Sequence, residues 1–238
     1  MYKSRYRASA RTKLRPFWPV ARRPTTYKFS RYTPVCYVAS QTSATTSPTF
    51  VGTNFIGGTT WSQDRGIANI QQGGASMCFM LTDVVSSTEF TSLFDNYRIL
   101  GVELELIWNS TSTYADSSGS PVGSQPMLYW ASDFDDNNAP NTPGILLEKD
   151  NTRTLALGDG KVHRIRIPFP RVADAVYNGA VFNGYGHGTV GQWLDSASPS
   201  VPHYGLKLWF EGFPVTTTPG ACCLTMRRKY WIECKEVI

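Results

Sequence analysis

The amino-terminal segment carries the side chains whose chemistry is clearest, a series of cations suited to contact with phosphate groups. Residues 1–31 hold ten of the 23 lysines and arginines of the chain, and the first acidic residue is Asp64. The ten cations are Lys3, Arg5, Arg7, Arg11, Lys13, Arg15, Arg22, Arg23, Lys28 and Arg31. Lysine and arginine neutralise phosphates without reading the base sequence. The segment therefore predicts binding to a nucleic acid.

Aromatic residues are interspersed among these cations, namely Tyr2, Tyr6, Phe17, Trp18 and Tyr27. Their rings can stack on unpaired bases, as single-strand-binding proteins do. The segment also contains three prolines, lacks helical or strand periodicity and is too highly charged to collapse. We therefore expect a disordered or extended arm over residues 1–32 that contributes nothing to the core. An organelle transit peptide and a tail that only maintains solubility remain open as alternatives.

A second basic group, Arg227, Arg228 and Lys229, interrupts the last apolar segment of the chain. These side chains either contact nucleic acid on the same side as the arm or protect a strand edge or bulge. The sequence favours neither interpretation.

The three histidines, His163, His187 and His203, have no cysteine, histidine or carboxylate at metal-ligand spacing. His163 shares the face of Ile165 in an alternating segment, which favours a buried structural histidine over a catalytic one. We therefore predict no metal site and no cofactor.

An acidic cluster resembles the start of a calcium-binding loop. It consists of Asp133, Asp135, Asp136 and Asn137. Gly144 stands where such a loop needs its final glutamate, and Asx-turns account for the cluster equally well.

A glycine motif resembles the dinucleotide fingerprint G-x-G-x-x-G and consists of Gly186, Gly188 and Gly191. That fingerprint requires a helix directly after the glycines, and Pro199 and Pro202 leave no room for one. We interpret them as loop glycines. Because no nucleophile lies near a matching base either, we predict no catalytic residue and no enzymatic activity.

Charge and cysteine usage bound the class of protein. The formal charge is +5, but the chain beyond residue 31 has 13 basic and 18 acidic residues. A basic arm on a mildly acidic body is typical of polyanion-binding proteins.

The five cysteines lack C-x-x-C spacing and no secretory signal is evident, which predicts reduced, mostly buried thiols in an intracellular protein. No apolar run reaches the roughly 18 residues of a membrane span, so we predict no membrane insertion.

The body is organised around a long strand preceded by a short helix. Leu100, Val102, Leu104, Leu106 and Trp108 alternate with glycine and glutamate, which predicts a half-buried β-strand. Just upstream, Phe90, Leu93, Phe94 and Tyr97 follow helical spacing. Ser86 and Glu89 predict a capping box at the start of this helix.

Further strands are predicted at 35–40, 77–83, 127–132, 162–167, 175–182, 204–210 and 222–236. With the central strand they make eight, and their long connections favour an all-β fold, a single eight-stranded jelly-roll sandwich. We assign 1–32 to the arm and 33–238 to this shell domain. The five alternating apolar residues of the central strand should face Leu206, Leu208 and Phe210 of the opposite sheet.

Three segments carry a resemblance to a known family. FDNYRILGVELE at residues 94–105 fits F-x-x-Y-R-I-x-x-V-x-x-E, a strand follows near residues 206–209, and the last strand ends in YWIECKEV. With the basic arm, this order resembles the capsid proteins of circoviruses and related small circular single-stranded DNA viruses. The chain departs from the family in an arm less dense in arginine, and in Glu103 and Glu105 where relatives are often basic.

The resemblance implies a viral capsid protein with a jelly-roll fold and sixty copies in a T=1 icosahedral shell. It further implies arms directed inward to a single-stranded DNA genome, contact with the host nuclear import machinery, and presence in the virion and the host nucleus. The alternatives are a coat protein of a small single-stranded RNA virus or satellite, a cellular nucleic-acid-binding protein, and a jelly-roll enzyme or lectin.

Overall fold

The computed structural model describes residues 26–39, 49–51, 59–64, 67–110, 125–134, 138–172, 177–178, 181–182, 191–215 and 222–237. The strands in these ranges are β1 (Thr26–Tyr32), β2 (Cys36–Ala39), β3 (Thr49–Val51), β4 (Thr59–Asp64), β5 (Ile67–Phe79), β6 (Phe94–Ser110), β7 (Met127–Ala131), β8 (Arg153–Ala156), β9 (Val162–Pro168), β10 (Arg171–Val172), β11 (Tyr177–Asn178), β12 (Val181–Phe182), β13 (Leu194–Asp195), β14 (His203–Pro214) and β15 (Cys222–Val237). The helices are a 3-10 turn at Leu81–Asp83, α1 (Ser87–Leu93) and α2 (Pro143–Leu147). None of these helices is long and apolar enough to cross a membrane.

The larger sheet is built on the antiparallel pair β6 and β15, which run side by side from Phe94 to Ser110. The other edge of β15 pairs with β1 and β2, and β3 pairs with β2. The other edge of β6 pairs with β9 and β13. The two longest strands therefore lie at the centre of this sheet, where each has partners on both sides.

The smaller sheet has the order β4, β5, β14, β7 and β8, and β10 adds to β14. Side chains from β5, β7 and β14 share one continuous core with those from β6 and β15. This confirms the all-β sandwich. The strands that were not predicted raise the count above eight within the described residues; they are β1, β3, β4, β8, β10 and β13.

The predicted core is confirmed, with one correction at Leu100. Val102, Leu104, Leu106 and Trp108 are buried, as are the three residues expected opposite them. Leu100 is only half-buried, because the pairing with β15 shifts register between Trp231 and Ile232. Such a bulge reverses which residues of β6 face the core: the even-numbered residues do so after Leu100, and the odd-numbered residues Tyr97 and Ile99 do so before it.

The predicted helix exists but is shorter than its apolar spacing suggests. It ends at Leu93, and Phe94 already belongs to β6. The Ser86 side chain makes no capping hydrogen bond, so the predicted capping box is wrong. Leu93 is exposed, whereas Phe90, Phe94 and Tyr97 are buried. Phe94 and Tyr97 are therefore buried as residues of β6, not of the helix.

The end of the segment assigned to the arm forms strand β1. It pairs antiparallel with β15 from Thr26 opposite Lys235 to Tyr32 opposite Lys229. Tyr27 and Phe29 pack against the core. The expectation that residues 1–32 contribute nothing to the core is therefore wrong for this strand. The basic residues from Lys3 to Arg23 lie outside the described residues.

Candidate nucleic-acid interface

Alternation along β15 distributes its side chains between the core and the outer face of the larger sheet. Met226, Tyr230 and Ile232 are fully buried, whereas Arg227 is exposed and Lys229 is half-buried. Successive residues of a strand point to opposite faces, so Arg227 and Lys229 lie on the outer face and Arg228 lies on the core side.

The outer face gathers cations from four strands. We call it the basic face, and its cations are Lys28, Arg98, Arg164, Arg166, Arg227, Lys229 and Lys235. Its aromatic members are Tyr32, Trp193 and Trp231, and its carboxylates are Glu103, Glu105 and Glu233. Seven cations against three carboxylates on the outward side of β1, β6, β9 and β15 leave this face positive.

The two glutamates of β6 each lie between cations on both neighbouring strands. Glu103 is opposite Lys229 on one side and Arg166 on the other. Glu105 accepts a hydrogen bond from Arg164 Nε at 3.0 Å and lies 3.9 Å from Arg227 Nη1. Cross-strand pairs of opposite charge hold the cations in fixed rows. The two glutamates thus organise the basic face.

Aromatic rings lie between the cations at one end of the face. The Lys229 ammonium is 5.4 Å from the ring centre of Tyr32 and 5.4 Å from that of Trp231. The Arg166 guanidinium lies 5.2 Å from the Trp231 ring and that of Arg227 lies 5.8 Å from Tyr32. Cations over ring faces within about 6 Å attract the ring electrons. The result is a surface with both charge for phosphates and rings for bases.

The other end of the face is an ion pair covered by an indole. Arg98 donates to Glu233 Oε2 from Nε at 2.8 Å and from Nη2 at 2.6 Å, and it lies 4.5 Å from the Trp193 ring centre. Burial raises the pKa of Glu233, but the hydrogen bonds from Arg98 and Thr26 outweigh it and lower that pKa. Because β1 starts here, opposite Lys235, residues 1–25 join the fold at this corner.

Arg228 is the member of the basic group that the structure removes from any interface. It is 3% exposed on the core side of β15. Its Nη1 donates to Asp83 Oδ2 at 3.0 Å, and the same oxygen accepts from the Tyr230 hydroxyl at 2.6 Å and from the Met80 amide at 3.1 Å. Direct contact of Arg228 with nucleic acid is therefore wrong, and its role is structural.

Of the two arm cations within the described residues, the structure brings only Lys28 to the basic face, where it lies opposite Glu233. Arg31 has the opposite parity and lies 5.7 and 5.8 Å from the rings of Phe29 and Phe90. Sequence reasoning missed Arg98, Arg164, Arg166 and Lys235. The alternation of Arg164 and Arg166 with buried isoleucines was the available signal.

Of the remaining candidates for chemistry, His203 and Asp133 have structural partners, whereas His163 Nε2 has no hydrogen-bond partner among the described residues. His203 is buried with Nδ1 3.1 Å from two carbonyl oxygens, and desolvation lowers its pKa to about 4. His163 is half-buried. Asp133 forms ion pairs with Lys149 and Lys207, each at 2.8 Å. His187, Gly186, Gly188 and residues 135–137 lie outside the described residues.

None of the five cysteines forms a disulfide bond, and four of them are buried. Burial raises the pKa of the Cys36 thiol to about 11 and that of Cys234 to about 12. Thiols with raised pKa are poor nucleophiles and poor metal ligands. Within the described ranges, no three histidine, cysteine, aspartate or glutamate side chains are grouped to hold a metal.

Comparisons with known proteins give both a family and structural neighbours. The family described as circovirus capsid protein matches residues 2–238. The 60-mer of the BFDV capsid protein is 13% identical with a TM-score of 0.50 over 89% of this chain and 94% of that one. The decameric BFDV capsid protein is 13% identical with a TM-score of 0.48 over 89% and 99%. No curated protein matches the chain. The likeness to the 60-mer subunit supports the jelly-roll fold.

Proposed function

Since this chain belongs to the circovirus capsid protein family, we propose that it packages single-stranded DNA inside an icosahedral shell made of its own copies. The observation that carries the proposal is the basic face, which begins at the strand that directly continues the basic amino-terminal segment. Arg227 and Lys229 of β15 bring positive charge beside Tyr32 and Trp231, and Lys28 of β1 adds to it opposite Glu233. Such a surface binds phosphates by charge and unpaired bases by stacking.

We propose a T=1 shell of sixty copies. The 60-mer of the BFDV capsid protein supports this number, because it is formed by a chain of the same fold. Large apolar side chains that are exposed on the single chain, including Val85, Leu93, Leu147 and Phe169, support subunit contacts that cover them. Residues 1–25 carry eight cations, so sixty arms directed inward would bring about 480 positive charges to the genome.

The basic face can be tested by removing charge from β15. Each phosphate contact on a single strand contributes roughly 0.7 to the slope of log affinity against log salt, so Arg227→Gln combined with Lys229→Gln should reduce that slope by about 1.4. The matched control, Arg171→Gln with Lys161→Gln, removes the same charge from positions off this face. Filter binding of single-stranded DNA at several salt concentrations gives both slopes. Equal slopes for the two double variants would show that the face does not contact DNA.

We also propose that the arm directs the chain to the host nucleus, since clustered lysine and arginine form nuclear localisation signals. The support is the density of cations in residues 1–25. A fluorescent protein fused to residues 1–25 should concentrate in the nuclei of cultured cells. A fusion distributed evenly between nucleus and cytoplasm would exclude this role.

A further inference from the structure

A cavity of about 510 Å³ opens where the edges of the two sheets meet, between β8 of the smaller sheet and β9 of the larger. Its lining includes Trp130, Asp150, Asn151, Arg153, Arg164 and Arg166. Two of these residues, Arg164 and Arg166, also belong to the basic face. The cavity is therefore continuous with the proposed DNA-binding surface.

Three guanidinium groups against one carboxylate make this cavity a site for an anion. Arg153 lies 5.4 Å from the ring centre of Trp130 and Arg166 lies 5.2 Å from that of Trp231. Neither forms an ion pair with any described residue. A guanidinium stacked on a ring keeps its in-plane N–H donors available, and their fork matches two oxygens of a phosphate.

Arg164 completes the cationic wall of the cavity. Its Nε is committed to Glu105 at 3.0 Å, and that hydrogen bond raises the pKa of the guanidinium. Its two terminal nitrogens have no hydrogen-bond partner among the described residues. The ion pair thus orients Arg164 without using up its donors.

The size and the remaining groups of the cavity favour a nucleotide over a simple anion. Binding pockets for small organic ligands have volumes of about 300–1,000 Å³, and this cavity lies in that range. Asp150 offers a carboxylate, which can accept from the exocyclic amino group of cytosine. Asn151 Nδ2 donates to the Ser132 carbonyl at 2.8 Å, which restrains its amide at the cavity.

We infer that this cavity binds one nucleotide of the packaged strand. Its phosphate lies on Arg153, Arg164 and Arg166, and its base lies at Asp150 and Asn151. The inference rests on the proposed function, because the strand reaches the cavity along the basic face. Every subunit then holds the strand at the same point, so the genome is anchored at regular intervals beneath a closed shell.

The test is photo-crosslinking of the full chain to a short oligodeoxycytidylate containing 5-iododeoxycytidine, with the crosslinked peptides identified by mass spectrometry. The peptide that contains Trp130 should be crosslinked. Its yield should fall about tenfold in the double variant Arg153→Gln, Arg166→Gln, because glutamine cannot form the two charge-assisted hydrogen bonds to phosphate. The yield should be unchanged in Lys161→Gln, which removes an exposed cation outside the cavity. Circular dichroism checks that both variants are folded.

The outcomes separate this site from the wider function. Crosslinks on the arm and on Trp231 but not on the Trp130 peptide would overturn the nucleotide site and leave DNA packaging standing. Crosslinks on neither the arm nor the basic face would overturn both. Inorganic phosphate that competes as well as deoxycytidine monophosphate would show that the cavity recognises phosphate alone, which also contradicts a nucleotide site.

Discussion

Replacing Asp83 with alanine should destabilise the folded chain by about 3–5 kcal/mol, because it leaves a buried guanidinium without its counter-ion. The Asp83 carboxylate accepts three hydrogen bonds at one oxygen, from Arg228, Tyr230 and the Met80 amide. Both members of the ion pair are almost fully buried, at 6% exposure for Asp83 and 3% for Arg228. Urea unfolding of unassembled protein measures the decrease in stability.

The double variant Asp83→Ala, Arg228→Met distinguishes the loss of the ion pair from the cost of leaving Arg228 unpaired. Removing both charges takes away the unpaired guanidinium, so most of the stability should return. If the free energy of unfolding of Asp83→Ala lies within about 1 kcal/mol of that of the parent chain, Arg228 is satisfied by water or another partner. The buried ion pair is then not needed for stability.

Removing residues 1–25 should abolish most of the affinity for single-stranded DNA and leave the sandwich folded. Eight cations are removed, so the salt slope should fall by up to about 5.6. Removing residues 1–32 should unfold or severely destabilise the chain, because it also removes β1. The ring centres of Phe29 and Phe90 are 5.2 Å apart and those of Tyr27 and Phe94 are 5.5 Å apart, so removing β1 uncovers two buried aromatic rings. Truncating one fully buried aromatic costs about 3–5 kcal/mol, and β1 removes two partly buried ones together.

Filter binding and circular dichroism of the two truncations give both results. A chain starting at Thr26 that binds DNA as tightly as the full chain would show that the arm is not the main binding element. A chain starting at Thr33 with unchanged unfolding would show that β1 contributes nothing to the core.

The period-two pattern predicts the central strands and most of the core, because β6 and β15 are long and differ in polarity between their two faces. Leu100 fits the pattern but is only half-buried. Its half-buried position arises from a register shift against β15, which lies more than a hundred residues away in sequence. A bulge depends on the pairing of two strands and leaves no periodic signal in either strand alone.

Strand β1 shows why short edge strands are hard to predict. Tyr27 and Phe29 alternate with Lys28 and Ser30, but the run is short and lies in a basic, proline-containing segment. It becomes a strand because β15 offers an edge to pair with, and that partner is remote in the chain. Local composition therefore predicts disorder where pairing stabilises a strand.

The basic face could be predicted only in part for the same reason. The alternation in β15 already places Arg228 on the even, apolar face, although a cation there requires a partner that sequence does not reveal. Arg166 and Lys229 come to lie on either side of Glu103 through the register of β6 with its two neighbours. Sequence identifies the kinds of side chain that bind nucleic acid, and the sheet determines which of them share a surface.

The most direct test of the central claim is the mass and DNA content of assembled particles, measured for the full chain and for the chain starting at Thr26. The full chain should form closed particles of about 1.6 MDa, as expected for sixty chains of 26.5 kDa, that protect single-stranded DNA from nuclease. Particles of the shortened chain should be empty. A full chain that remains a 26.5 kDa species across salt and pH, or shortened chains that protect as much DNA, would contradict the account.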